Sequence, residues 1–79
     1  MGEGAGVLVM ESLAHANKRG ATILGEYLGG GISTDAYDLT APRADGRDVI
    51  LCMRSALADA GLEADAVDLV NADGTSTPV

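Results

Sequence analysis

Apolar positions along this chain fall into one short continuous run, two interrupted strand-length stretches and one long helical stripe, and the polar stretches between them mark the boundaries of the predicted elements. Residues 5–10 (Ala-Gly-Val-Leu-Val-Met) are uninterruptedly apolar, the pattern of a strand covered on both faces. Ser12 then stands where a side-chain oxygen caps a helix over 13–19. Lys18 and Arg19 face the C-terminal end of that helix dipole, and Gly20 ends it. A second strand is predicted over 22–28, slowing into Gly29-Gly30-Gly31 and resuming through Ile32 and Ser33. The connection between these strands is about ten residues, shorter than the dozen or more of a parallel crossover, so an antiparallel relation is expected.

Residues 34–46 show no periodicity and carry Asp35, Asp38, Pro42, Asp45 and Gly46, the composition of a loop. From 47 to 60 the spacing changes. Val49, Met53, Ala56, Leu57 and Ala60 recur on one helical face. Asp45 is the expected N-cap, and Gly61 followed by Leu62 fits a Schellman stop. A turn through Glu63, Ala64 and Asp65 leads to a last strand over 67–70 (Val-Asp-Leu-Val) and then to the polar tail Asn71-Ala72-Asp73-Gly74-Thr75-Ser76-Thr77-Pro78-Val79.

This order, strand, helix, strand, loop, helix, strand, predicts a layered α/β fold. Length and composition change its scale. Seventy-nine residues make at most one domain, one that buries only about 60% of its unfolded surface. Phe and Trp are absent and there are eleven glycines, which suits close packing of layers better than a large private core. Three strands without partners would leave open edges, and a glycine-rich turn leads from residue 2 straight into the first of them. The expectation is therefore a partial domain from a larger layered body, with Met1 an internal methionine used as a start.

Five Lys and Arg against twelve Asp and Glu leave a net charge of −7, with no basic cluster of the kind that phosphate backbones require, so nucleic acid is excluded as a partner. The acidity itself is what solubility asks for. No apolar run approaches the twenty residues of a membrane span, and no secretory or transit pattern opens the chain. A single cysteine, Cys52, rules out an internal disulfide and is read with a reducing soluble compartment.

Candidate chemistry is sparse. Gly2-Glu3-Gly4-Ala5-Gly6 precedes a strand instead of linking strand to helix, so it is a structural turn and not a dinucleotide fingerprint or a P-loop. Cys52 has neither a His nor a cation arranged to make it a thiolate and reads as a packed or half-packed core residue. His15, with no second His in the chain, is a surface residue without a His-based metal site of its own. Most carboxylates fall at caps, turns and helix surfaces. Asp38 and Asp73 differ, because each lies in a polar loop beside hydroxyls, Thr40 in one case and Thr75, Ser76 and Thr77 in the other. The tail can be an active-site loop at a strand end or merely an Asp-Gly turn with local hydroxyl hydrogen bonds.

Three segments, Met1-Gly2-Glu3-Gly4-Ala5-Gly6-Val7-Leu8-Val9-Met10-Glu11, Asp35-Ala36-Tyr37-Asp38-Leu39-Thr40-Ala41-Pro42 and Asn71-Ala72-Asp73-Gly74-Thr75-Ser76-Thr77-Pro78, together resemble the β-ketoacyl-[acyl-carrier-protein] synthases of the elongating, KAS I/II type. The stretch from Met10 to Gly30 is most similar to plant plastid members. The resemblance implies a partial thiolase-like α/β fold, with 1–33 closing the first half, 34–46 connecting and 47–79 opening the second. It also implies a decarboxylative Claisen condensation, in which a cysteine carries the acyl group and two histidines donate to developing oxyanions. The implied partner is acyl carrier protein, whose phosphopantetheine arm carries the substrate, with no separate cofactor. A homodimer or larger complex stays open, and the implied setting is the plastid stroma or another reducing soluble compartment.

By the same resemblance, Asp73 occupies the place of the first catalytic His. Thr75 and Thr77 fall where threonines hydrogen-bond the pantetheine arm, and Thr40 falls in a loop lining that pocket. Asp38 stands where the elongating enzymes commonly have His. The nucleophilic Cys and the second His belong to family segments that this chain does not contain, and Cys52 does not correspond to the nucleophile. An imidazole donates to an enolate oxygen, whereas a carboxylate only accepts. Losing such a donor costs at least about 3 to 4 kcal/mol in the transition state. The expectation is thus a fragment or truncated relative of a 3-oxoacyl-carrier-protein synthase, inactive as this chain. Two other readings remain: a non-catalytic module that docks on another subunit through exposed strand edges, and an independently folded acidic domain whose polar loops hold a small ligand.

Overall fold

Helix α1, Leu13–Lys18, begins where Ser12 can serve the first free amides: its backbone is extended and its side chain accepts from the His15 N–H at 3.2 Å. It ends in a Schellman turn. Gly20 takes a left-handed φ of 67°, its N–H donates to the Asn17 carbonyl, and the Ala21 N–H reaches back to Ala16 at 2.9 Å. The computed structural model describes residues 2–74.

Helix α2, Arg47–Ala60, has the predicted bounds. Its Schellman stop forms as expected, with Gly61 at φ 67°, its N–H on Ala58 and the Leu62 N–H on the Leu57 carbonyl at 3.0 Å. Its start differs from expectation: Gly46, left-handed at φ 61°, is the N-cap and has no side chain to contribute. Asp45 still serves this end from one residue further out, accepting the Arg47 N–H at 3.1 Å. A single 3₁₀ turn, Ala64–Ala66, follows.

The strands do not form. The predicted α/β fold, and with it the partial thiolase-like arrangement of strand-helix-strand, loop and helix-strand, is corrected by this structure: among the described residues there are two α-helices and one 3₁₀ turn, and no strand. The runs over 5–10, 22–28 and 67–70 carry no regular secondary structure, and residues 32 and 33 do not resume one. A strand exists only through hydrogen bonds to a neighbouring strand, and none of these runs has one. Val7, Leu8 and Val9 are 87–92% exposed, so their apolar pattern meets no covering layer.

Segment 29–33 does find a partner, the flank of α2. The Gly30 N–H donates to Asp59 Oδ2 at 3.0 Å, the Cys52 thiol to the Gly31 carbonyl at 3.0 Å, and the Ser33 hydroxyl to the Asp48 carbonyl at 2.5 Å. A Cβ on Gly29 would stand 2.6 Å from the Ala60 nitrogen, and one on Gly31 would stand 2.5 Å from the Cys52 carbonyl oxygen. The glycine run thus allows two backbones to meet. The contacted face of α2 is Asp48, Cys52, Ser55, Ala56, Asp59 and Ala60, whereas Val49 and Met53 of the predicted apolar stripe stay about half exposed.

Ala16 is the one buried apolar side chain among the described residues. The Cα radius of gyration is 16.6 Å, against about 12 Å for a compact domain of this length. The chain exposes 7439 Å², where a compact protein of its mass exposes roughly 4,400 Å². The described residues thus enclose no large core.

Candidate functional site

The loop joining 29–33 to α2 is organised by its own carboxylates. Asp35 Oδ2 accepts the Arg43 N–H at 2.9 Å, closing residues 35–43 into a ring. Inside it, Asp38 Oδ1 accepts the Thr40 N–H at 3.0 Å and the Ala41 N–H at 2.9 Å, an Asx-type turn. The Thr40 and Ala41 amides hold the Asp38 carboxyl below the usual carboxylate range. Asp38 Oδ1 is thus committed to the backbone around it. Ala36, at φ 48°, is the one non-glycine residue with positive φ among those described. That strain is confined to this loop.

Arg43 fastens the ring to the start of α2. Its Nε and Nη2 donate to the Asp45 carboxylate at 3.0 and 2.7 Å, and its Nε lies 3.9 Å from Asp48 Oδ2. Its guanidinium carbon stands 5.4 Å from the centre of the Tyr37 ring, within cation–π range. The Arg43 fork, followed by the Arg47 amide, pulls the Asp45 carboxyl down to about 2. Arg43 and Tyr37 are functional candidates that no pattern along the sequence joins. They meet across a loop that is neither helix nor strand, and the only local signal is an Arg two residues before an Asp.

Asp73 lies at the centre of a three-residue turn, because the Gly74 N–H donates to the Ala72 carbonyl at 2.9 Å. Its side chain is exposed and makes no hydrogen bond or ion pair with another described residue. Thr40 is exposed in its loop, and no hydrogen bond joins that loop to residues 71–74. The structure does not bring Thr40 and Asp73 together through polar contacts. Thr75 and Thr77 lie outside the described residues.

Cys52 is half-buried and bonded to Gly31, as its reading as a packed residue requires. His15 is on the surface, its Nε2 3.4 Å from Glu11 Oε2. Glu11 also takes the Arg19 guanidinium. That pair lowers the Glu11 carboxyl and raises Arg19 through their hydrogen bond. Among the described residues no cluster of three His, Cys, Asp or Glu side chains is placed to hold a metal ion. An open groove of about 420 Å³ lies between residues 9–11, α1 and 23–28, lined largely by Val9, Met10, Leu13, Ile23, Tyr27 and Leu28.

Residues 24–79, which include the Asx loop, α2 and the Asp73 turn, match the model of the β-ketoacyl synthase C-terminal domain. The chain belongs to the β-ketoacyl synthase family. Chloroplastic 3-oxoacyl-[acyl-carrier-protein] synthase I of Arabidopsis thaliana is 58% identical over 77 residues, 98% of this chain and 16% of that protein. Synthase I of Hordeum vulgare, also chloroplastic, is 58% identical and is covered over 17% of its length. Synthase 2 of Rhizobium meliloti is 52% identical, covered over 18%. The chain thus spans less than a fifth of the length of these synthases. No helix among the described residues is long and apolar enough to cross a membrane.

The two loops differ in what they present to solvent. The 35–43 ring offers an exposed Thr40 held from behind by Asp38, and the 71–74 turn presents a carboxylate. A carboxylate accepts hydrogen bonds and repels an oxyanion.

Proposed function

We propose that this chain supplies part of the acyl-thioester pocket of a β-ketoacyl-carrier-protein synthase in fatty acid biosynthesis, and that it does not catalyse condensation as the 79-residue chain. The observation that carries this reading is 58% identity over 98% of the chain to a chloroplastic 3-oxoacyl-[acyl-carrier-protein] synthase. In this reading Thr40, Thr75 and Thr77 hold the phosphopantetheine arm of acyl carrier protein. Asp73 stands where the reaction needs a donor to the enolate and thioester oxyanions. Decarboxylation of the malonyl thioester would leave a carbanion to attack the acyl thioester, with a nucleophilic cysteine and a donor imidazole coming from other segments. Cys52, bonded to the Gly31 carbonyl, is not that nucleophile. The setting is the plastid stroma, and a dimer or larger complex would complete the site.

The test is a chimera in which this segment replaces the matching 77 residues of the Arabidopsis synthase I. The expected result is a folded enzyme impaired in malonyl-carrier decarboxylation and restored by Asp73→His. Full activity with Asp73 in place, or no recovery with His in a folded chimera, overturns the assignment of Asp73. Turnover by the purified 79-residue chain overturns its inactivity.

A second reading, a non-catalytic module docking on another subunit, is favoured by the exposure of Val7, Leu8 and Val9 at 87–92% and of Leu69 at 84%. Patches of that kind mark interaction surfaces.

A further inference from the structure

Arg43 is placed to do something that neither helix propensity nor loop composition requires. Its backbone N–H closes the 35–43 ring on Asp35, while its side chain leaves the ring in two directions. One face of the guanidinium lies over Tyr37, a ring residue, and its edge donates to Asp45, with Asp48 beyond. Asp48 is in the first turn of α2, and Asp45 accepts the Arg47 N–H there. One side chain therefore spans the ring and the helix that follows it. A lone exposed ion pair would be worth little. Here a bidentate fork, a second carboxylate and an aromatic face converge on the guanidinium of a side chain only 31% exposed, which gives geometric definition that a lysine ammonium cannot match.

We propose that Arg43 is a positioning residue: by bridging Tyr37 to Asp45 and Asp48 it holds the 35–43 ring, and with it Thr40, in a fixed place relative to α2. For the pantetheine contact, this inference rests on the function proposed above; the clasp itself rests on the geometry alone. Thr40 sits in the middle of the ring, with its N–H on Asp38. Without the clasp the ring stays closed only through Asp35 and the Arg43 amide, and between its tether at Ser33, bonded to the Asp48 carbonyl, and residues 43–46 it is free to shift against α2.

The experiment uses the 79-residue chain labelled for NMR. Amide exchange at Thr40 and Ala41 reports the Asp38 turn. Exchange at Ala21 and Leu62, bonded to Ala16 and Leu57, reports the two helix ends as internal references. In Arg43→Ala, Thr40 and Ala41 exchange about fivefold faster, the scale of an exposed cation–π contact and ion pair together, while Ala21 is unchanged. Arg43→Lys restores only part of the protection, because it keeps the charge and loses the fork. Tyr37→Leu reproduces part of the loss. Unchanged exchange at Thr40 in Arg43→Ala, or full rescue by Lys, overturns the clasp.

Pantetheine added to the unsubstituted chain should shift the Thr40 amide, and the shift should shrink several-fold in Arg43→Ala. Equal shifts in both overturn the positioning role. No shift in the unsubstituted chain overturns the pantetheine reading of Thr40, and exchange then decides the clasp by itself.

Discussion

The Cys52 thiol donates to the Gly31 carbonyl at 3.0 Å, across a contact so close that a Cβ on Gly31 would lie 2.5 Å from the Cys52 carbonyl oxygen and 2.8 Å from the Ala56 nitrogen. These are backbone atoms of a helix, which cannot move aside as a flexible side chain would. Gly31→Ala should therefore cost this docking about 1 to 3 kcal/mol, the range of overpacking. The rate at which a thiol reagent modifies Cys52 reads the change directly, and roughly a tenfold rise corresponds to about 1.4 kcal/mol. Gly25→Ala, with nothing within 4 Å of the added carbon, serves as the control and should leave the rate unchanged.

Helix α1 has only six residues, too few to persist on propensity alone. Its single side-chain cap is Ser12 on the His15 N–H. Ser12→Ala should weaken it by about 1 kcal/mol, visible as loss of helical Cα shifts over 13–18 with α2 unaffected. Ser12→Asp should keep the cap. Equal helical shifts in the Ala and Asp variants would contradict the capping role.

Acid should release the 35–45 loop. Asp45 titrates at about 2 in the structure, against 3.8 for the free side chain, and Asp38 is lowered in the same direction by the Thr40 and Ala41 amides. Groups with depressed values stabilise the ordered state fully above the unfolded value and stop doing so as pH falls through the folded one. The loop should therefore be intact above about pH 4 and lose its order toward pH 2. Carboxyl carbon titration by NMR should place Asp45 near 2, and Arg43→Ala should return it toward 3.8. An Asp45 that titrates near 3.8 with Arg43 present would refute the pairing.

In the chimera with the Arabidopsis synthase I, Asp73→His should raise malonyl-carrier decarboxylation by about a hundredfold or more, the scale of one oxyanion donor. Asp73→Asn should recover less, since its amide donates with different reach and geometry. A kinetic split isolates the role: the rate constant should change far more than KM, because the donor acts on charge that develops in the transition state.

Much of the local structure was legible along the chain. The limits of α2, the Ser12 cap and both glycine stops followed from side chains that act within four or five residues of themselves. Asp38 and Asp73 were singled out from their polar neighbours, and each does sit in a tight turn made by adjacent backbone groups. Arg43 escaped notice because its partners, Tyr37, Asp45 and Asp48, are gathered by a loop with no repeating geometry. The packed face of α2 overlaps the apolar stripe only in part: Ala56 and Ala60 meet the glycine run. Val49 and Met53 of the same stripe stay half exposed, because the three glycines of 29–31 approach a flank of small and polar residues, on which Cys52 and Ser55 join Ala56.

The chain by itself determined its family, its helices and their ends, because motif identity, capping and left-handed glycines are properties of neighbouring residues. Only the tertiary structure decided the fate of the apolar runs at 5–10, 22–28 and 67–70. An apolar pattern states which residues favour leaving water, but a strand is a relation between two segments, and among the described residues these runs have no neighbouring strand to hydrogen-bond. The same structure gave the glycine run a partner in α2 and gave Arg43 its bridge, both contacts between groups that no local pattern joins.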